Sequence, residues 1–414
     1  MPQINKELLK KIGLGALIVG FAVLMGYLIY RIFFRPIFAP DQGATNTNAT
    51  PSGTLPPTNT NTNAGVITTN INGEIITVLP AIDTVATGGN TLADRVEIGI
   101  PLGAAQTTQG LNYYDPASGQ FYRLGSNGEP ELLTDDIYQE VENLTWSPDG
   151  GTAILEFPDG SNVVYDFNAK KQITLPREMQ EFSFAAGGDQ IAFKYMTQNR
   201  EDRWLGVASP DGSESKGVAL LGDNADKVIV DYSPSGQVVA TVRESLNAFE
   251  NEIGFVGLNE ENFKGIVVSG RGFQPQWSPN GSQLLYSVYN QETEYMPELF
   301  IVDALGQDIG RNNLDLGLRT WANKCTFSDT STLYCAVPES LEYGAGLVPG
   351  VAAGTPDRIY KIDTQTGTRS IVANPVNGEG DNTFSVGELF ISEDQKYLYF
   401  TDQVTGEVRK IKLF

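Results

Sequence analysis

The chain has 414 residues, with 50 acidic and 28 basic side chains, a formal charge of −22 and no histidine. Without histidine there is neither a Ser-His-Asp or Cys-His nucleophile nor an imidazole ligand for zinc, which excludes the commonest hydrolase and metalloenzyme designs and leaves carboxylate chemistry or none. A composition 41% hydrophobic and 19% charged suits an ordered globular domain, and 44 glycines with 22 prolines predict many turns.

Residues 1–11 carry Lys6, Lys10 and Lys11, and from Ile12 to Tyr30 no charge interrupts 19 residues. A bilayer-spanning helix needs roughly 20 apolar residues, whereas the apolar stretch of a cleaved signal runs to about 7 to 15. No small-residue cleavage pattern follows, since Ala39 precedes Pro40. Residues 12–34 are therefore predicted to form one uncleaved signal-anchor helix. Its three leading lysines against Arg31 and Arg35 behind favour a cytoplasmic N-terminus by one charge and place the rest of the chain outside the cytoplasm. Residues 35–70 form a Thr/Asn/Pro-rich linker, and within 41–70 nine threonines and six asparagines leave almost nothing able to enter a core. Such a stretch is expected to stay disordered and to reach about 30 Å as a flexible tether. Removing the first 40 residues, five basic and one acidic, leaves a charge of −26, a sign that disfavours nucleic acid and anionic headgroups.

Beyond a segment over 71–95, read as ring-closing or docking, residues 96–414 repeat one unit. Trp146-Ser147-Pro148-Asp149-Gly150 recurs as Tyr232-Ser233-Pro234-Ser235-Gly236 and Trp277-Ser278-Pro279-Asn280-Gly281, with weaker copies at Phe184, Phe327 and Ile391, at intervals of 38, 48, 45, 50 and 64 residues. Serine, proline, Asp or Asn and glycine in that order are the preferences of a type I turn, and each copy leads into an apolar β-rich run. Further strand-like runs in phase make four strands per unit. A four-stranded sheet cannot bury its own faces and a ring of them can, so the fold class is all-β, a seven-bladed β-propeller with a six-bladed ring as the alternative. The stretch from Val96 through Leu133 reads as a degenerate first blade. The last blade runs out after three strands, and Glu74 to Leu79 is expected to supply its fourth.

The Trp-Ser-Pro-Asp-Gly turn followed by an apolar strand resembles the TolB-type, WD40-like propeller repeat over about residues 140–414. The resemblance implies a platform for binding partners at the cell envelope. Similar repeats occur in prolyl-oligopeptidase-type enzymes, whose separate α/β-hydrolase domain has no counterpart here.

Trp146 and Trp277 are expected to pack between blades, and Asp149 and Asn280 to hydrogen-bond within their turns. Cys325 and Cys335 flank one hairpin symmetrically and would face each other across it, as a disulfide or as two small buried thiols. The connections between second and third strands should all emerge on one face. They are predicted to be short in blades two and seven but long in blades three to six, over Met196–Arg203, Glu244–Glu252, Tyr289–Glu298 and Ala336–Asp357. These carry Arg200, Arg203, Trp204, Phe249, Tyr289, Tyr295 and Tyr343, an aromatic and arginine mixture of the kind enriched at interfaces. The expected function is accordingly a non-enzymatic binding or scaffold module for an envelope protein or glycan, using no cofactor, no metal and no nucleic acid. The alternative is a carboxylate-dependent glycoside hydrolase, with Glu244, Glu250, Glu252, Glu292, Glu294 and Glu298 as candidates on that face.

Overall fold

The computed structural model describes residues 81–125, 129–259, 261 and 263–414, and the backbone of the strands Val66–Thr69 and Ile75–Val78. The predicted membrane helix over 12–34 lies outside the described residues, as does all of the linker but Val66–Thr69. Among the described residues no helix is long and apolar enough to cross a membrane.

Seven antiparallel sheets follow one another along the chain. Blade one holds Leu102–Thr107, Gly110–Asp115, Gln120–Leu124 and Pro130–Leu132; blade two Asn143–Trp146, Thr152–Glu156, Asn162–Asp166 and Lys171–Leu175. Blade three holds Met179–Phe184, Ile191–Tyr195, Trp204–Ala208 and Lys216–Leu220; blade four Val228–Val230, Val238–Ser245, Glu250–Gly257 and Ile266–Ser269. Blade five holds Arg271–Trp277, Gln283–Tyr289, Glu298–Asp303 and Leu314–Asp315; blade six Cys325–Phe327, Thr332–Pro338, Asp357–Asp363 and Arg369–Val376. Blade seven holds Val386–Ile391, Tyr397–Asp402 and Val408–Lys412. The first strands of blades one to four meet in succession, as do those of blades six and seven, and blade seven meets blade one, which closes a propeller of seven blades and rules out six.

The repeat builds each blade locally. In the first good copy the Ser147 hydroxyl donates to Asp149 Oδ1 (2.6 Å) and accepts from the Thr152 amide (2.9 Å), while the Gly150 amide donates to the Ser147 carbonyl (2.8 Å). Gly150 has φ +67°, a conformation that costs glycine nothing. The same serine-to-amide bond recurs at Ser233, Ser278 and Ser392. The second strands of blades two to seven each hold at least three consecutive apolar residues, as in Ala153-Ile154-Leu155, because each blade is covered on both faces by its neighbours, and these three are fully buried.

The ring closes differently from the sequence expectation. Ile75–Val78, within the expected closing strand Glu74–Leu79, instead pairs with Val66–Thr69 in a hairpin of its own, so the last residues of the expected disordered linker form a strand. The fourth strand of blade seven is Asp94–Arg95, antiparallel to Val408–Lys412, and Asn90–Leu92 adds a fifth, parallel strand to blade six. The isoleucine- and valine-rich stretch has the higher strand propensity. Asp94–Arg95 takes the edge because the chain must pass there to enter blade one: Val96 donates to the Val408 carbonyl (2.9 Å), and Arg95 pairs with Glu407 (3.2 Å).

The aromatic heading each good repeat ties its blade to the preceding one. Trp146 stacks on Phe167 (5.1 Å), meets Phe121 edge-on (5.8 Å), and donates its indole N–H to the Gly103 carbonyl of blade one (2.9 Å). Tyr232 donates its hydroxyl to Gln190 of blade three (2.6 Å). Trp277 packs on Phe255 of blade four, and its buried indole N–H makes no hydrogen bond of good geometry. Trp277 nevertheless favours the charged form of Asp231, also of blade four, whose carboxyl burial pushes up to about 7. A carboxyl that holds its proton more tightly folded than unfolded contributes stability that is lost as pH rises through its folded pKa. Asp231→Asn is therefore expected to flatten the stability profile. Between pH 5 and pH 8 the urea midpoint of the native chain should fall further than that of the variant, and parallel falls would refute this assignment.

Candidate functional site

Seen along the ring axis, the Ser-Pro-Asp-Gly turns and the third-to-fourth-strand turns share one face, and the connections between second and third strands share the other. The turn face is polar. Between blades five and six it holds a cleft of about 600 Å³ lined by amides and hydroxyls such as Asn280, Gln283, Asn313 and Thr364. Asp149 is held below the usual carboxylate range by the Ser147 hydroxyl, and Asn280 accepts from the Ser282 amide (3.1 Å), so both serve their turns.

The loop face differs in kind. Among the described residues, the exposed large apolar side chains outside the strands fall here at Ile100, Ile137, Leu246, Phe249, Tyr343, Leu347, Val348, Val351 and Val404, against Leu305 and Phe414 on the turn face. Single exposed apolar residues need no explanation, but here they gather on one side of the ring.

The loops themselves are ordered. In blade three, Met196–Arg203 contains a short 3-10 turn, Arg200–Asp202. Arg200 pairs with Asp223 (2.9 Å) and Arg203 donates to the Thr197 carbonyl (3.0 Å), so both arginines brace this loop. Trp204 begins the third strand and lies over Gly217, where a Cβ would stand 3.0 Å from its ring. With Tyr195 it lines an apolar trough of about 430 Å³ on the flank of blade three. The blade-four connection is not a long loop: its strands run on to Ser245 and from Glu250, leaving a tip of four residues. There Asn247 Oδ1 accepts from the amides of Phe249 (2.8 Å) and Glu250 (3.0 Å), which fixes Phe249 at the apex, 64% exposed.

In blade five, Glu294 and Tyr295 both adopt positive φ, +57° and +55°. That conformation is costly for residues with a Cβ, and it aims their carbonyls at the neighbouring loop. The Gly344 and Gly346 amides of blade six donate to them at 3.0 and 2.7 Å. Tyr343 meets Tyr295 edge-on (5.6 Å), and a Cβ on Gly346 would come within 2.6 Å of the Tyr289 ring. Tyr289 and Tyr295 thus support the blade-six loop, and Tyr343 is presented to solvent. That loop seats Ala345 and Ala352 against the buried Trp321 and leaves Leu347, Val348 and Val351 outward.

Two features escaped the sequence reading. Under the blade-six loop, Lys324 Nζ lies 2.8 Å from both oxygens of Asp357, and both side chains are buried. Burial pushes the Asp357 carboxyl up to about 6 against the pull of Lys324. In the inner strand of blade three, Glu181 lies in an irregularity of pairing at φ +54° and meets Lys194 at 2.6 Å, and burial raises the neighbouring Glu156. No sequence motif marks either pair. Cys325 and Cys335 are directly paired and joined by a disulfide, Cα–Cα 4.1 Å.

The six candidate carboxylates do not form one constellation. Glu244 pairs with Lys227 (3.1 Å), Glu252 sits opposite Glu244 within the sheet, and burial raises Glu298. Glu250 and Glu292 come together with Phe249, Asn247, Ser269, Asn290 and Gln291 around a cleft of about 700 Å³ between the hairpin tips of blades four and five. No grouping of three or more metal-ligating side chains occurs among the described residues.

No protein-family model matches the chain, and no curated protein matches it in sequence. The fold has counterparts among solved structures. An oligogalacturonate lyase in complex with manganese is 15% identical, with a TM-score of 0.52 over 77% of this chain and 90% of that one. The oligogalacturonate lyase of Vibrio parahaemolyticus is 11% identical, with a TM-score of 0.51 over 79% and 95%. The hydrazine synthase of Kuenenia stuttgartiensis is 12% identical, with a TM-score of 0.50 over 77% and 97%. At such identities the likeness is one of fold, and what it establishes is a seven-bladed β-propeller.

Proposed function

We propose that the chain is a single-pass, membrane-anchored propeller that binds an envelope protein or glycan outside the cytoplasm through the loop face, without catalysing a reaction. The observation that carries this reading is the gathering of exposed apolar side chains on that face, densest on the blade-six loop. The uncharged run from Ile12 to Tyr30 supports the anchor, and the Cys325–Cys335 disulfide suits an oxidising compartment. The test is crosslinking and affinity capture from native membranes with the full chain and with Leu347→Ser/Val348→Ser/Val351→Ser. These side chains point to solvent, so the variant should fold. Replacing the whole loop would also remove Asp357, the buried counter-charge of Lys324. A partner recovered with the native chain and reduced at least about tenfold with the variant supports the reading. Equal recovery from both, or none from either, would overturn it.

A glycoside hydrolase is the second reading, favoured by the convergence of Glu250 and Glu292 on one cleft and by the fold shared with oligogalacturonate lyases. It is the weaker one, because an acid catalyst needs an enclosing apolar wall to keep its proton and Glu292 is exposed.

A further inference from the structure

We propose that the cleft between the hairpin tips of blades four and five is a socket for a lysine or arginine side chain on an extended segment of the partner protein. This inference rests on the loop-face reading above and names the chemistry the face selects.

The socket is built from two rigid walls. On one side Asn247 holds both following amides and donates its side-chain amide to Glu250 Oε2 (2.7 Å), so Phe249 and Glu250 are presented together. On the other, Asn290 and Thr293 exchange bonds between side chain and backbone, and Asn290 Nδ2 donates to the Ser269 carbonyl of blade four (2.8 Å), which fixes the spacing of the walls. An aromatic ring held at a tip with most of its surface in water gains little for the isolated fold. It offers a partner a large contact at small entropic cost.

Charge selects the occupant. Neither Glu250 nor Glu292 has an ion-pair partner among the described residues: Lys227 is engaged by Glu244, and Arg271, two residues past Ser269, pairs with no carboxylate. A cation entering between them would meet two carboxylates and the face of Phe249, the combination that favours lysine or arginine over a neutral group. The side-chain amide of Gln291 suits the peptide groups of an extended segment. Apolar residues flanking the cation would rest on Leu246 to one side and on Tyr343 and Leu347 to the other, beyond the blade-five hairpin. The charge of −26 beyond residue 40 steers such a segment to the domain.

The test uses the full chain in detergent micelles and three fluorescent probes: a capped pentapeptide with two lysines around a leucine, its glutamine counterpart, and a neutral chitin tetrasaccharide. The lysine peptide should bind saturably, and the glutamine peptide and the tetrasaccharide at least about tenfold more weakly, a factor of ten being about 1.4 kcal/mol. Glu250→Gln/Glu292→Gln should reduce lysine-peptide binding by a similar factor, and raised salt should weaken binding to the native chain more than to the variant. Phe249→Ala should weaken it with the salt dependence retained. Equal binding of the lysine peptide by the native chain and the double variant, or preference for the glutamine peptide or tetrasaccharide, would overturn the socket. Partner capture separates the two proposals. Capture that depends on Leu347, Val348 and Val351 but is unchanged in Glu250→Gln/Glu292→Gln would leave the binding face standing and remove only the socket.

Discussion

Lys324→Ala is expected to destabilise the domain by about 3 to 5 kcal/mol, the cost of stranding a buried charge. Asp357 would keep the Val386 amide (2.7 Å) and lose both contacts with Lys324, while Asp402 stays close enough to disfavour its ionisation. The pH dependence follows from the sign of the shift. In the native chain Asp357, pushed up to about 6, already holds its proton more tightly folded than unfolded, so its contribution falls as pH rises through that value. Without the ammonium the carboxyl is pushed higher still, and the loss should be larger at pH 8 than at pH 5. Lys324→Met/Asp357→Asn, which removes both charges and keeps an acceptor for the Val386 amide, should recover most of the stability. Chemical denaturation of the three proteins at both pH values decides the matter. A small loss in Lys324→Ala, or a double variant no better than the single, would mean that the pair is not what holds blades six and seven together.

Trp146→Ala is expected to cost about 3 to 5 kcal/mol, as for other large aromatic truncations in packed cores. The ring lies between Phe121 of blade one and Phe167 of blade two, and its removal leaves a cavity that two rigid sheets cannot collapse to fill. Trp146→Phe retains most of the contact and gives up the bond to the Gly103 carbonyl, so it should cost about 1 kcal/mol for that bond and little more. Thermal or urea unfolding of the two variants gives the comparison. Equal losses would show that the hydrogen bond, not the packing, is the tie between the blades.

How much of this was legible in the sequence differs from residue to residue. The blades were legible because their first turns are local: serine, proline, an acceptor and glycine satisfy one another within five residues, whatever surrounds them. Cys325 and Cys335 could be placed opposite one another for the same reason, since a tight hairpin sets its own register. The site was legible only as a face. Arg200, Arg203, Tyr289 and Tyr295 share the composition of a contact surface, yet the structure uses them as braces. Phe249 on a four-residue tip and Tyr343 in a long loop stay largely exposed. For Tyr289 and Tyr295 the reason lies in the distant blade-six loop that each supports, whereas Arg203 and Phe249 are placed by partners a few residues away, Thr197 and Asn247.

Residues close in the chain, together with composition, account for the repeat, the four-stranded unit, the apolar runs of the second strands and the acidity of the domain. Assembly of the ring settles that Asp94–Arg95 completes blade seven, that Lys324 meets Asp357 33 residues on, and that Glu250 and Glu292 line one cleft between blades four and five. Each of these joins segments whose own preferences are weak or contrary, a charged dipeptide at a strand edge, a lysine in the interior, two carboxylates in one cleft. Such preferences are outweighed once the ring has brought the segments together, because pairing an edge or a buried charge yields more than any local propensity can.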